Sequence, residues 1–344
     1  MVYFMNELPF ISIVIPSLRF GPIFYKCLGS LYRQNYPKQK MEIIVVTVEP
    51  SKIKKLKGGY KIKIINGGKA NPAEARNIAI KKAKGSIIAF LDDDCEAHPR
   101  FLRNAIKYFK NPKVAAIGGP SLTPKNASFL IKSSGFIFSS NFGTSAMSAR
   151  WSNSIKRAKK ATETDLVLSN MFVRKDVLLE IEGFDSNQVP CEENELCYRI
   201  QKKGYELLYT PDVLVWHTIR PLFVPFAKRI FFYATGRGSM SYRYPDSFKL
   251  FYIIPTLFVT GLVLGLISLN VFSVLKYPFF LSLVMYLIFN LYSTFSVWKR
   301  EKDIKLLLVM PVGFFTEHVF YGLGFIWGVL LYMTGNWNKR GLGK

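Results

Sequence analysis

The chain has 344 residues, with 47 Lys and Arg against 23 Asp and Glu and a formal charge of +24. That length holds one α/β domain of ordinary size beside a membrane region and excludes two large soluble domains in addition to it. The charge suits nucleic acid, an anionic membrane surface or phosphorylated substrates; with long apolar runs in the last third, membrane and phosphate fit better.

Met1 to Phe10 lacks a basic stretch followed by a long apolar core, so no cleavable signal peptide is expected and the first domain is expected on the cytoplasmic side. Ile11-Ser12-Ile13-Val14-Ile15-Pro16 reads as a first strand, too apolar to alternate, as in a parallel sheet covered on both faces. A helix carrying Cys27, Leu28, Leu31 and Tyr32 follows and stops at Tyr36-Pro37. Glu42 to Val46 is a second strand and Ile62 to Ile65 a third. Asn71-Pro72-Ala73-Glu74 predicts a helix start: Asn71 as cap, Pro72 at the first position, Glu74 placed for a capping box. Gly85 ends that helix before the apolar run Ser86 to Leu91, which closes on Asp92-Asp93-Asp94. Strand and helix alternate, so a doubly wound sheet is expected, with ligand at the carboxyl ends of its strands.

Residues 115–211 are less regular and hold Gly183-Phe184-Asp185 and the cluster Glu192-Glu193-Asn194-Glu195. From Arg220 to Lys249, basic residues interleave with Phe223, Phe226, Phe231, Phe232 and Tyr233, which fits a helix lying among lipid headgroups or a surface helix of the soluble domain. Phe251 to Leu275 and Tyr277 to Trp298 carry no charge, and each is long enough to cross a bilayer. Leu306 to Met333 is a third candidate span, with Glu317-His318 calling for a packed interior position or a broken helix. Lys299, Arg300, Lys302 and Lys305 mark the preceding loop as cytoplasmic, whereas three full spans would put Lys339, Arg340 and Lys344 on the disfavoured side. The four cysteines, Cys27, Cys95, Cys191 and Cys197, show neither CxxC nor metal-ligand spacing and read as free thiols.

Carboxylates at the end of a buried strand can hold Mg²⁺ or Mn²⁺ against a diphosphate. The same triplet before His98-Pro99 also suits a turn that caps the next helix. A carboxylate at the start of the Glu192 helix can act as general base if its site desolvates it, or can simply complement the helix dipole. His217 is one of three histidines and suits either a hydrogen-bonded core position or a ligand role.

Taken in order, Val14-Ile15-Pro16-Ser17, Glu42 to Val46, Ala75-Arg76-Asn77, Phe90-Leu91-Asp92-Asp93-Asp94, Gly183-Phe184-Asp185, Glu192 to Leu196 with Tyr198-Arg199-Ile200, and Gly204-Tyr205 resemble the family-2 glycosyltransferases over about residues 9 to 240. The resemblance implies the α/β GT-A fold, a Rossmann-like, mostly parallel sheet with helices on both faces, followed here by an α-helical membrane region. It implies that Asp92 and Asp94 are the DxD pair, Asp94 nearest the metal and Asp92 near the ribose or metal, with Pro16, Ser17, Glu49, Arg76 and Asp93 on the donor nucleotide. Glu193 falls where the family has the Asp of its base motif, with Glu192 beside it. Asn170 falls among residues that line the acceptor or donor pocket, and His217 matches a late His that completes the metal site in some members. Two departures stand out. Thr47-Val48-Glu49-Pro50-Ser51 replaces the usual Asp-Asp-Gly-Ser, and Arg19 stands where the family commonly has Asn.

The expectation is an inverting, metal-dependent membrane glycosyltransferase. Residues 1–219 form the catalytic domain, 220–249 a basic aromatic interfacial segment, and 250–344 a membrane domain with two to three spans. The expected cofactor is Mg²⁺ or Mn²⁺. The expected partners are a nucleotide-diphosphate sugar, a lipid-linked sugar or polyprenyl-phosphate acceptor and the membrane, with no nucleic acid. The rival readings are a polyprenyl-phosphate sugar synthase and an inactive GT-A scaffold.

Overall fold

A computed structural model describes residues 8–53, 62–268 and 276–337. Most of the Met1 to Phe10 segment, the end of the first apolar run and the charges at Lys339, Arg340 and Lys344 lie outside the described residues. The chain divides into two compact units, Met1–Pro124 with Ala149–Thr218 and Lys125–Ser148 with Ile219–Lys344.

The first unit is built on a mixed, mostly parallel sheet. Its strands are β1 (Ile11–Pro16), β2 (Met41–Thr47), β3 (Ile62–Asn66), β4 (Ile87–Phe90), β6 (Val114–Gly118), β8 (Lys159–Ala161), β9 (Met171–Arg174) and β10 (Glu206–Tyr209), in the order β3-β2-β1-β4-β9-β6-β10-β8. Three of the runs read as strands are buried, β2 and β4 wholly and β1 as far as Ile15, whereas the edge strand β3 buries only Ile65. β1, β2, β3 and β4 pair in parallel, whereas β9 runs antiparallel to both β4 and β6, and β8 antiparallel to β10. A small second sheet, β5 (Cys95–Ala97), β11 (Val215–His217) and β7 (Ser121–Leu122), has the order β5-β11-β7. The chain moves outward from β1 to β2 and β3, then returns to place β4 on the other side of β1. The carboxyl ends of β1 and β4 therefore flank a topological switch point, where open α/β sheets bind ligands.

The helices of this unit are α1 (Pro22–Tyr32), α2 (Pro72–Lys82), α3 (Phe101–Ala105), α6 (Lys175–Glu180) and α7 (Glu192–Lys202). The expected capping box at α2 is present: Asn71 Oδ1 accepts from the Glu74 N–H at 3.0 Å, and Glu74 Oε2 accepts from the Asn71 N–H at 2.8 Å. At the opposite end of α2, a buried network ties the chain to the sheet. The Ser12 hydroxyl donates to Glu42 Oε1 at 2.6 Å, the Lys84 N–H donates to the same oxygen at 2.7 Å, and the Gly85 N–H donates to Ser12 Oγ at 2.8 Å. Buried polar groups satisfied in this way fix the connection into β4, which leads into the acidic triplet.

The second unit contains α4 (Phe129–Phe138), α5 (Asn141–Thr144), α8 (Val224–Arg243), α9 (Ile254–Ser268), α10 (Lys276–Glu301) and α11 (Leu306–Met333). Three helical stretches, Leu250–Ile267, Lys276–Glu301 and Leu306–Met333, are long and apolar enough to cross a membrane, which indicates membrane association. α8 lies tightly along α11, because a Cβ on Gly328 would overlap the Thr235 carbonyl and one on Gly238 the Phe325 carbonyl. From Ala234 to Met240 every residue of α8 is buried, including Arg237, so its accessible residues are in the first half and the last turn of that helix. Glu317 and His318 take the packed interior position: α11 runs through them unbroken, and both are buried. The two ring nitrogens of His318 lie 2.8 Å from the Phe142 carbonyl and 3.1 Å from the Tyr286 hydroxyl.

Gly85 generates a direct test of the first unit. A Cβ there would stand 2.5 Å from the Ser12 nitrogen and 2.8 Å from the Phe10 carbonyl, both backbone atoms. Gly85→Ala is expected to destabilise by about 1–3 kcal/mol. Gly29→Ala, inside α1 and near only the end of the Arg33 side chain, is expected to be neutral or to stabilise by about 0.5–1 kcal/mol. Thermal unfolding of both variants in detergent checks this, and equal melting temperatures contradict it.

Candidate active site

The acidic triplet leaves the carboxyl end of β4 and turns directly into β5. Leu91 N–H donates to the Val14 carbonyl and Ser17 N–H to the Val46 carbonyl, so the ends of β4, β1 and β2 are tied side by side. β5 pairs antiparallel with β11 in the register His217 to Cys95, and the Thr218 N–H donates to the Asp94 carbonyl at 3.0 Å. That pairing carries His217 across more than a third of the sequence to Asp94, with its Nε2 3.1 Å from Asp94 Oδ1. Trp151 stacks on the His217 ring, centroids 5.9 Å apart.

Each carboxylate of the triplet has a cationic neighbour. Arg19 Nη2 donates to Asp93 Oδ1 at 2.6 Å and to Asp94 Oδ2 at 3.0 Å, and the Ser17 hydroxyl donates to Asp93 Oδ2 at 2.7 Å. Burial opposes ionisation of Asp94, but His217 and Arg19 outweigh it and hold the carboxyl well below the usual range. Burial dominates at Asp93 and pushes its carboxyl up, with Ser17 and Arg19 acting against that. Asp92 faces the other way. Its Oδ1 accepts from Arg76 Nη2 at 3.2 Å, and Arg76 Nη1 donates to Glu192 Oε1 at 3.1 Å. The Arg76 side chain is only 5 % exposed and sits 5.8 Å over the Phe184 ring, so one guanidinium on α2 joins the triplet to the first turn of α7.

Cys191, with φ of 76°, turns the chain into α7, whose first turn carries Glu192, Glu193 and Glu195. Acidic groups there complement the helix dipole. Burial, then the adjoining Glu193 charge, pushes Glu192 up to about 7, with Arg76 acting in the opposite sense. Arg150 Nη2 lies 3.8 Å from Glu193 Oε1. Glu195 is held differently: Arg199 binds both its oxygens at 2.6 and 2.8 Å.

The donor set fits a divalent cation. Among the described residues, ligand atoms of Asp94, Cys95 and His217 lie within 4.8 Å of one another. Carboxylate oxygen and imidazole nitrogen suit Mn²⁺ or Mg²⁺. Cys95 is fully buried, and its soft sulfur suits these oxygen-preferring cations less well than the carboxylate and the imidazole. Asp92, also expected at the metal, is outside that group and lies on the Arg76 side of the triplet.

Of the remaining sequence-derived residues, Pro16 ends β1 beside the triplet. Glu49 is at the surface after β2, 2.6 Å from Lys52 and 44 % exposed. Asn170 is fully buried, and its amide donates to the Pro120 and Val213 carbonyls at 3.1 and 2.7 Å. Its side chain ties two backbone segments together, and only its buried Oδ1 is left to accept a further bond. Arg19 was legible only as a departure, and Arg150 and Trp151 carried no sequence signal because they come from an irregular stretch.

Comparison with known proteins identifies the family and the fold. The chain is 24 % identical over 334 residues to a dolichyl N-acetyl-alpha-D-glucosaminyl phosphate 3-beta-D-2,3-diacetamido-2,3-dideoxy-beta-D-glucuronosyltransferase of Methanococcus voltae, covering 93 % of this chain and 97 % of that protein. It is 27 % identical over 223 residues to glycosyltransferase AglE of Haloferax volcanii, covering 63 % of this chain and 69 % of that protein. The mannosyltransferase PcManGT from Pyrobaculum calidifontis, solved in complex with GDP-Man and Mn²⁺, shares the fold with a TM-score of 0.56 at 15 % identity, covering 95 % of this chain and 88 % of that one. Residues 9–233 match the family described as glycosyltransferase like family 2, and the chain belongs to that family of nucleotide-sugar-dependent glycosyltransferases.

Proposed function

We propose that the protein is an inverting, metal-dependent glycosyltransferase that moves a sugar from a nucleotide-diphosphate donor to a lipid-linked sugar at a membrane. The observation that carries the reading is the convergence of Asp94 and His217 beside an Arg76 bridge from Asp92 to Glu192, in a chain that also has three apolar helices. The Methanococcus voltae relative, whose name describes transfer to a dolichyl-phosphate-linked sugar, supports a lipid-linked acceptor. The Mn²⁺ and GDP-Man bound to the structural relative support the cofactor and the donor class.

Asp94 and His217 would hold the cation, which when bound supplies counter-charge to the leaving diphosphate. Arg76 adds a permanent positive charge near that group while holding Asp92 on the side away from Asp94 and His217, where it would meet the ribose. Ser17 and Pro16 close the nucleotide side at the end of β1, and Glu49 is the carboxylate available to the base. Glu193 takes the proton of the acceptor hydroxyl as its oxygen attacks the anomeric carbon. The bond to the diphosphate breaks in the same displacement, and configuration inverts. Glu192 lies against it as a neighbour whose charge state sets the field at the base. Catalysis is assigned to residues 1–219 and bilayer anchoring to 250–344, with 220–249 entering the headgroup region. If α9 and α10 each cross, residues before Leu250 and the loop at 299–305 share a side, and the lysines and arginine in that loop support a cytoplasmic one.

Asp94→Ala is expected to abolish transfer while circular dichroism and melting behaviour stay native-like; normal transfer by a folded variant contradicts the metal assignment. Glu193→Gln is expected to lower kcat by roughly 100- to 10,000-fold, the range for a positioned base. Activity retained by Glu193→Gln with a polyprenyl-phosphate acceptor would instead identify a lipid-phosphate sugar synthase, whose nucleophile needs no strong base.

The Glu192 carboxyl supplies a pH test. Its folded value of about 7 is above the ordinary 4.5, so its contribution to stability is complete below 4.5 and is lost as pH rises through about 7. The melting-temperature difference between wild type and Glu192→Gln is therefore expected to move in favour of the variant between about pH 5 and pH 8. A difference constant across that window contradicts the raised value.

A further inference from the structure

Arg19 sits on the carboxylates that the cation would need. A single nitrogen, Nη2, bonds Asp93 Oδ1 at 2.6 Å and Asp94 Oδ2 at 3.0 Å. The other oxygen of Asp94 faces His217, so both oxygens of that carboxylate are engaged. Asp93 differs in where its second hold lies: it is buried, and the Ser17 hydroxyl that donates to it at 2.7 Å stands apart from the Asp94–His217 pair. The Arg19 side chain is 51 % exposed and lies just before α1, so it has room to turn about Asp93. A divalent cation lodged between Asp94 and His217 would stand beside the guanidinium, and like charges that close repel. The ligand that arrives with the cation is a diphosphate, whose oxygens a guanidinium fork matches better than a single carboxylate oxygen.

We propose that Arg19 is an exchangeable counter-ion: it neutralises Asp94 in the empty site, gives it up to the entering cation, and turns from Asp93 onto the diphosphate of the donor. The proposal rests on the metal-dependent reading above. It assigns to this position a role that the Asn common in the family cannot fill, since Asn carries no charge. It also sets a sign. A residue that merely props up the triplet would weaken cation binding when removed, whereas a competitor strengthens it.

The test is Mn²⁺ binding, followed by electron paramagnetic resonance, to the purified full-length protein in detergent without nucleotide. Wild type is compared with Arg19→Asn, Arg19→Lys and Asp94→Asn. Arg19→Asn is expected to bind Mn²⁺ roughly three- to tenfold more tightly than wild type, the scale set by removing one partly exposed charge. Arg19→Lys is expected to restore the wild-type affinity. At saturating Mn²⁺, Arg19→Asn is expected to bind UDP or GDP, whichever wild type binds, more weakly. Mn²⁺ affinity that is unchanged or weaker in Arg19→Asn overturns the inference and leaves the metal reading standing. Tighter Mn²⁺ with unchanged nucleotide affinity overturns the turn onto the diphosphate. No Mn²⁺ binding by wild type or Arg19→Asn, or full binding by Asp94→Asn, overturns the metal reading and this inference with it.

Discussion

Five carboxylates, Asp92, Asp93, Asp94, Glu192 and Glu193, gather at one end of a buried sheet, and the fold has to supply counter-charge for them. Two like charges 4 Å apart repel by about 4 kcal/mol at the effective dielectric of a protein surface. Left without counter-charge, such a cluster would be destabilising. The central answer is Arg76. Its buried guanidinium binds Asp92 with one nitrogen and Glu192 with the other, so α2 and α7 are locked to the end of β4 by a group that cannot lose its charge. Arg19, Arg150 and His217 complete the set around it. With those counter-charges in place the carboxylates stay gathered at the end of β4, where the proposed cation and diphosphate would bind.

The rest of the first unit keeps that arrangement in register. The capping box starts α2 at a defined residue, which fixes where Arg76 falls on the helix. The Ser12, Glu42 and Gly85 network fixes the start of β4, and hence where Asp92 comes to lie just beyond the strand's last residue, Phe90. On the far side, the antiparallel pairing of β5 with β11 delivers His217. Local signals and one long-range pairing thus meet at Asp94.

This division explains what could be read from the chain alone. β1, β2 and β4 were legible because strands buried on both faces are runs of Ile, Val and Ala, and α2 was legible because its cap is chemical and local. Asp92, Asp94, Arg76 and Glu192 lie on or at the ends of those elements and of α7, so their gathering at one end of the sheet followed. Antiparallel β8 and β9 were not legible: they come from the irregular middle, and the direction of a three- or four-residue strand is set by its neighbours. The same holds for Arg150 and Trp151, and for Lys125–Ser148, which joins the second unit although it is flanked by residues of the first. Asn170 shows the converse. Motif position suggested a pocket, but its amide is committed to two backbone carbonyls. In the second unit, the apolar runs were plain, and the Glu317-His318 pair was accommodated by burial within a continuous helix.

The account stands or falls on whether donor chemistry depends on a cation at this site. The most direct measurement is consumption of UDP-, GDP- and dTDP-sugars by the full-length protein in membranes containing polyprenyl phosphate and lipid-linked sugars, with Mn²⁺ or with EDTA. The account predicts that one donor class is consumed with Mn²⁺ and none with EDTA. Consumption that EDTA leaves unchanged would contradict it.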